Sequence, residues 1–210
     1  FIDGPITANN PMGVHHGWGR TYKDLFHRHK AMQGFRTRYQ NGFDCQGLWV
    51  EVNVERDMGF RTKRDIEAFG LAEFVILCKQ RVLTYAAVQT EQSIRLGYWM
   101  EWDEPESLRH LRDQLGRDPA KVITYQGPRG SLTGSVEAIV GSLGGLELGG
   151  SYFTFSDENN YTIWSVIKSC HDRGWIYKGT DVMPWCARCG TGLSQHEIVT
   201  EGYQELTHPS

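Results

Sequence analysis

Long apolar runs are missing from this chain. No stretch approaches the ~18 consecutive apolar residues of a membrane span. The opening FIDGPITANN also lacks the charged n-region and apolar h-region of a secretory leader. Both absences predict a protein that uses no membrane. An excess of either charge is missing too: 22 Lys and Arg stand against 25 Asp and Glu, a formal net charge of −3. No global positive field recruits nucleic acid, so any such role has to rest on local patches. Cysteine is scarce and odd in number, at Cys45, Cys78, Cys170, Cys186 and Cys189, without framework spacing. That excludes a disulfide-stapled secreted domain and predicts a reducing, cytosolic setting. Internal repeats and low-complexity tracts are absent. So is an initiating Met, and since the first residues read as the end of a strand, a fragment clipped at its N-terminus is expected.

What is present is an ordinary globular composition, 40% hydrophobic and 22% charged over 210 residues, enough for one good-sized domain with an appendage. Phe1–Ile2 reads as a strand end, followed by the loop DGPITANNPMG. Val14, Trp18, Tyr22, Leu25, Phe26 and Met32 recur at helical spacing, with Gly34 as a C-terminal stop. FRTRYQNGF predicts a second strand and DCQGL the loop at its carboxyl end. The helical period resumes at Leu48, pauses at Gly59 and Gly70, and continues in a long helix from about Leu71 to Ile94. This β-loop-α-β order predicts an α/β sheet with its ligand crevice beyond the carboxyl ends of the strands, where both unusual loops fall. Residues 104–150 read as helix, strand, a GPRG turn, helix and a glycine-rich exit, an α+β insertion with modest core content and a solvated surface. In SYFTFSDENNYTIWSVIKSCHDRGWIYKG, Ser156 or Asp157 caps a helix whose inner face holds Tyr161, Trp164, Ile167 and Cys170. Gly174 ends it, and WIYKG reads as a short strand.

Three motifs can carry chemistry. In NNPMGVHHGWGR, His15 and His16 are too close in sequence to ligate one metal from a helix face, because neighbours point about 100° apart. They read either as solvated first-turn residues or as part of a phosphate loop. In the second case a glycine before the helix N-terminus admits an anion to the backbone N–H groups. Asp44, on the same crevice edge, can bind an ammonium or a ribose hydroxyl, or can cap the helix from Leu48. Cys45 and Gln46 supply no base for a covalent thiol mechanism. The pair Cys186 and Cys189 in WCARCG has the spacing of half a tetrahedral zinc knuckle. Its partners are either missing from the chain or drawn from Cys170, His171 and His196; a redox pair and a metal-free turn are the alternatives. DENN, 157–160, lacks alternating ligand spacing and suits a helix cap.

Read together, GPITANNPMGVHHGWGRTYKDLF, GFDCQGLWVE, Gln80–Asp103 beginning QRVLTYAA, SDENNYTIW and GTDVMPWCARCGTGLSQHEIVTEGYQELTHPS resemble the isoleucyl-tRNA synthetases. The resemblance covers residues 1–103 and 151–210 and leaves 104–150 outside. It implies a Rossmann-like (HUP-type) nucleotide-binding half-domain over 1–103, a connective region with a zinc-ribbon-like knuckle over 151–199, and the start of an editing domain over 200–210. It also implies ATP with Mg2+, L-isoleucine and tRNA(Ile) as substrates, zinc as a cofactor, a cytoplasmic enzyme, and a monomer at full length. The family's His-x-Gly-His signature falls on Gly13-Val14-His15-His16, so the first and third residues are exchanged. Matched residue by residue, Gly13, His15 and His16 would act on the phosphates and Asn9, Gly13 and His16 would face ATP. Pro5, Asp44 and Gln46 would hold isoleucine, and Cys186 and Cys189 would bind zinc. The KMSKS-like second signature is not in the chain, so this stretch alone is expected to be inactive. A valine-type sister enzyme and a non-catalytic tRNA-binding or zinc-knuckle relative are the competing readings.

Overall fold

The computed structural model describes residues 1–187, 191–195 and 198. Strand β1 (Ile6–Thr7) leads through a loop into α1 (Val14–Met32), which returns to β2 (Gly42–Asp44). Helices α2 (Leu48–Met58), α3 (Lys63–Phe69) and α4 (Leu71–Arg95) follow. Next come α5 (Pro105–Arg117), the antiparallel hairpin β3 (Val122–Gln126) and β4 (Ser131–Ser135), and α6 (Val136–Gly141). Strand β5 (Tyr152–Phe153), α7 (Asp157–Asp172) and the antiparallel pair β6 (Trp185–Cys186) and β7 (Thr191–Gly192) complete the described order.

Strands β1, β2 and β5 form a parallel sheet in the order β1-β2-β5, with Thr7 opposite Asp44 and Phe43 opposite Phe153. Helical crossovers make this α/β, as the alternating pattern predicts. Gly42 is needed by close approach, since a Cβ there would enter the Tyr152 ring. Phe43, Phe153 and Ala8 join the main core with Val82, Leu83, Ala86 and Ala87 of α4.

The helix starts and stops largely agree with the reading above, but two inward faces and one strand do not. The stripe on α1 is exposed, with Val14 at 90% and Trp18 at 64%, while Arg20, Asp24 and His27 are buried. The helix is amphipathic, yet its polar face turns inward, because Arg20 and Asp24 find partners there. Arg20 Nε donates to Asp3 Oδ2 at 2.9 Å, and Asp24 accepts from Arg28 Nε at 2.6 Å and from Trp99 N at 2.7 Å. Ser156 does cap α7, accepting from Asn159 N at 3.4 Å, but Tyr161, Trp164 and Ile167 lie outward. WIYKG forms no strand among the described residues, and the second strand is shorter than FRTRYQNGF, with Gln40 making isolated bridges beside it.

The segment 104–150 is no modest-core elaboration. Leu108, Leu111 and Leu115 line one face of α5 at helical spacing and are fully buried with Val136, Ile139, Val140, Leu143 and Leu148. Pro105 opens α5, where its missing N–H costs nothing. The glycine turn leads into strand β4 before the expected helix, and Thr124 and Thr133 face each other at 2.8 Å across the hairpin. Buried Asp103 accepts from Tyr125 Oη at 3.1 Å and Ser151 N at 2.9 Å, tying the hairpin to the sheet; burial pushes its carboxyl up to about 6.

Candidate functional site

The carboxyl ends of β1 and β2 carry the two loops singled out in the sequence. After β1 the chain turns over the sheet edge: Ala8 N donates to Asp44 O and Asn9 N to Thr7 O, both at 2.9 Å. Helix α4 runs beneath this loop and pins it with side chains on one face. Gln89 Nε2 donates to Thr7 O at 3.0 Å and to Asn10 O at 2.8 Å. Gln92 Oε1 accepts from Met12 N at 2.7 Å. The Arg81 fork takes Asn9 Oδ1 at 2.5 Å and Asn9 O at 3.1 Å, and Asp57 holds the third corner at 2.7 Å. Asn9 is thus buried, its amide donating to Trp49 O at 3.0 Å.

At the α1 N-terminus, Gly13 is the N-cap in extended geometry. Its N–H donates to His16 Nδ1 at 3.2 Å, and His16 N donates back to Gly13 O at 3.1 Å. An accepting Nδ1 puts the ring proton on Nε2, so neutral His16 is a donor on its free side. Burial, then His15 and Arg20, hold the His16 imidazole below its ordinary range. His15 stacks at a tilt on His16, ring centroids 3.8 Å apart. A Cβ built on Gly13 would lie 2.9 Å from His15 Cε1 and 3.1 Å from His15 Nδ1. The His15 ring therefore occupies the space that a side chain at 13 would enter. Chemically, a helix N-terminus flanked by imidazole donors can receive an anion.

Asp44 ends β2 half-buried between two hydroxyls, Thr7 Oγ1 donating to Oδ2 at 3.0 Å and Thr154 Oγ1 to Oδ1 at 3.4 Å. Gln46 N reaches Oδ1 at 3.4 Å, and the Gln46 side-chain amide donates to Thr154 O at 3.1 Å, linking the loop to the turn between β5 and α7. Pro5 is exposed two residues before Thr7 on the approach to β1. The fold therefore brings Asn9, Gly13, His15, His16, Asp44 and Gln46 to one sheet edge, with Pro5 at the entry to β1. The sequence reading missed the residues that hold them: Thr7, Thr154, Arg81, Gln89 and Gln92. No local signal marks them, because each reaches a loop residue at least 72 positions away in sequence or a strand neighbour at least 37 away.

Thiol chemistry finds no support. Burial pushes Cys45 up to about 12 and Cys78 up to about 11, both lining a cavity of about 530 Å3 beside α2–α4. The larger concavity, about 630 Å3 between loop 141–148 and α7, shares no residue with the site. Cys186 closes β6, while Cys189 and His196 lie outside the described residues. Among the described residues no group of three or more His, Cys, Asp and Glu could hold a metal. No described helix is long and apolar enough to cross a membrane.

Residues 1–115 and 136–209 match the family described as tRNA synthetases class I (I, L, M and V). The interruption, 116–135, is narrower than the 104–150 expected to lie outside the resemblance and centres on the β3–β4 hairpin. Over 100% of this chain, the isoleucine–tRNA ligase of Thermobifida fusca is 35% identical and that of Streptomyces coelicolor 32%. That of Clostridium kluyveri is 30% identical, again over 100% of the chain. The chain spans 15% of the first of these relatives and 16% of the other two.

Proposed function

This chain belongs to the class I tRNA synthetases (I, L, M and V), and we propose that it is the N-terminal catalytic part of an isoleucine–tRNA ligase. The observation that carries the reading is one sheet edge bearing both an anion site, the α1 N-terminus with His15 and His16, and a carboxylate, Asp44. The edge suits a substrate pair of opposite charge, ATP and a free amino acid. A Rossmann-like (HUP-type) half-domain fits the β1-β2-β5 parallel order. The divisions at 103/104, 150/151 and 199/200, and a zinc half-site on Cys186 and Cys189, belong to the same proposal.

In the reaction, an isoleucine carboxylate oxygen attacks the ATP α-phosphorus. One O–P bond forms, the bond to pyrophosphate breaks, and isoleucyl-adenylate then passes its acyl group to tRNA(Ile). Asp44 and the Pro5 carbonyl hold the ammonium, with Gln46 beside them. Asn9 and the Gly13 cap position the nucleotide, with Mg2+ accompanying ATP. Neutral His16 offers Nε2–H to the phosphoryl oxygens as negative charge builds in the transition state. His15 supplies from position 15 the imidazole that Gly13 lacks, because its ring already fills that space.

Charging of total tRNA by the full-length polypeptide tests the reading. Isoleucine incorporation supports it; valine incorporation identifies a sister enzyme; tRNA binding without charging identifies a non-catalytic relative.

A further inference from the structure

We propose that Thr7 and Thr154 are positioning residues that preset the Asp44 carboxylate for a substrate ammonium; this rests on the function proposed above. Three adjacent parallel strands converge here. Thr7 closes β1, Asp44 closes β2, and Thr154 follows β5 directly. Each hydroxyl serves a different carboxylate oxygen, Thr7 on Oδ2 at 3.0 Å and Thr154 on Oδ1 at 3.4 Å. The direction of the second bond is fixed by the backbone. Cys45 N–H donates to Thr154 Oγ1 at 2.9 Å, which occupies a lone pair and turns the hydroxyl proton toward Asp44.

Two hydroxyl donors and the 3.4 Å contact from Gln46 N leave lone-pair capacity on a carboxylate that can take up to about four bonds. No cation stands within salt-bridge distance of Asp44 in the described structure, whereas Asp3 is saturated by Arg20 at 2.9 Å and Lys23 at 2.7 Å. Asp44 is thus a carboxylate fixed in direction, half-buried and open to a positively charged ligand. A fixed acceptor binds an ammonium without first paying rotamer entropy. The two threonine hydroxyls bond Asp44 and make no hydrogen bond to Gly13, His15 or His16 in the described structure, so their effect should separate by substrate.

The test is amino-acid-dependent ATP–pyrophosphate exchange by the full-length polypeptide carrying Thr7→Val, Thr154→Val or Thr154→Ser. Thr7→Val removes only a donor to Asp44; Thr154→Val also strands Cys45 N–H, so Thr154→Ser and a thermal melt accompany it. KM for isoleucine should rise about tenfold in each valine variant, while KM for ATP stays within about twofold. Thr154→Ser should stay within about twofold of wild type for both. Inhibition by 3-methylpentanoate, which keeps the side chain and carboxylate but has neither ammonium nor hydroxyl to donate to Asp44, should be unchanged throughout. Equal rises for isoleucine and ATP, weakened 3-methylpentanoate inhibition, or an unaltered Thr7→Val enzyme would overturn the positioning role while leaving the proposed function standing. Wild-type protein that exchanges with no amino acid would overturn both.

Discussion

At the scale of residues, the exchanged glycine and histidine are the point where sequence and geometry meet. From the sequence, Gly13 looks like a loss and His15 like an obstruction. In space the His15 ring sits 2.9 Å from where a Gly13 Cβ would be, the placement that the proposed compensation requires. Removing the ring by His15→Ala is expected to lower the exchange rate about 10²-fold, the usual cost of a lost transition-state donor. Gly13→His with His15 kept is expected to do worse, because two imidazoles then compete for one volume. The double variant Gly13→His, His15→Gly should return to within about tenfold of wild type. A fully active His15→Ala enzyme contradicts the compensation. The same residues set a pH dependence. His16 is held below its ordinary 6.5 by burial first and by His15 next, so its neutral form is favoured in the fold. The associated stability is complete above pH 6.5 and is lost as pH falls from there toward the lowered value. The acid limb of activity should therefore lie below pH 6.5, and in His15→Ala it should move up toward 6.5, as read in a kcat-versus-pH profile.

At the scale of elements, periodicity located most helices correctly and assigned two of their faces wrongly. Helix α1 has a clean apolar stripe at 14, 18, 22 and 25, which the spacing rule turns inward. The rule fails here because Arg20 finds Asp3, Ser93 Oγ at 3.2 Å and Gly42 O at 3.3 Å on the other side. Such pairing joins residues up to 73 apart in sequence, and local spacing carries no record of it. The loop ANNPMG was legible as a site loop; the α4 row that holds it was not, for the same reason. Gln89→Leu removes two donors to the loop, at Thr7 O and Asn10 O, and should cut exchange about tenfold with a raised KM for ATP. Hydrogen exchange across residues 7–12 should rise in parallel. The pattern of 104–150 predicted an insertion with modest core content, yet α5 seals the core. Leu111→Ala should cost about 2–5 kcal/mol in chemical denaturation, where a surface elaboration would cost almost nothing.

At the scale of the molecule, the described chain buries a main core and a smaller cluster at Val54, Ile66 and Phe74, and leaves a further set of apolar groups uncovered. Trp18, Tyr22, Leu25 and Phe26 on α1, Trp164 on α7, and Trp175, Tyr177 and Trp185 beyond it are all exposed. Exposure on this scale marks surfaces that other structure covers. The 210-residue chain alone should bind a hydrophobic dye strongly, and the full-length polypeptide should bind it weakly. Equal dye binding would mean that these faces stay open at full length. Composition and charge already excluded a basic nucleic-acid binder and a membrane protein as expectations. The α/β class was legible from the alternation of β1, α1 and β2, and the candidate site from its two loops. The threonines at Asp44 were not, because parallel neighbours 37 and 110 residues away in sequence supply them.

The central claim is that the α1 N-terminus and Asp44 serve one reaction, the activation of isoleucine by ATP. ATP–pyrophosphate exchange by the full-length polypeptide, with isoleucine, valine, leucine and methionine compared, tests it most directly. One methylene in an apolar pocket is worth about 1–3 kcal/mol, a magnitude for which aminoacyl-tRNA synthetases are themselves the standard illustration. The account predicts exchange with isoleucine, weaker by roughly two orders of magnitude with valine, and abolished by Asp44→Ala. Exchange with no amino acid, or exchange that survives Asp44→Ala unchanged, would contradict it.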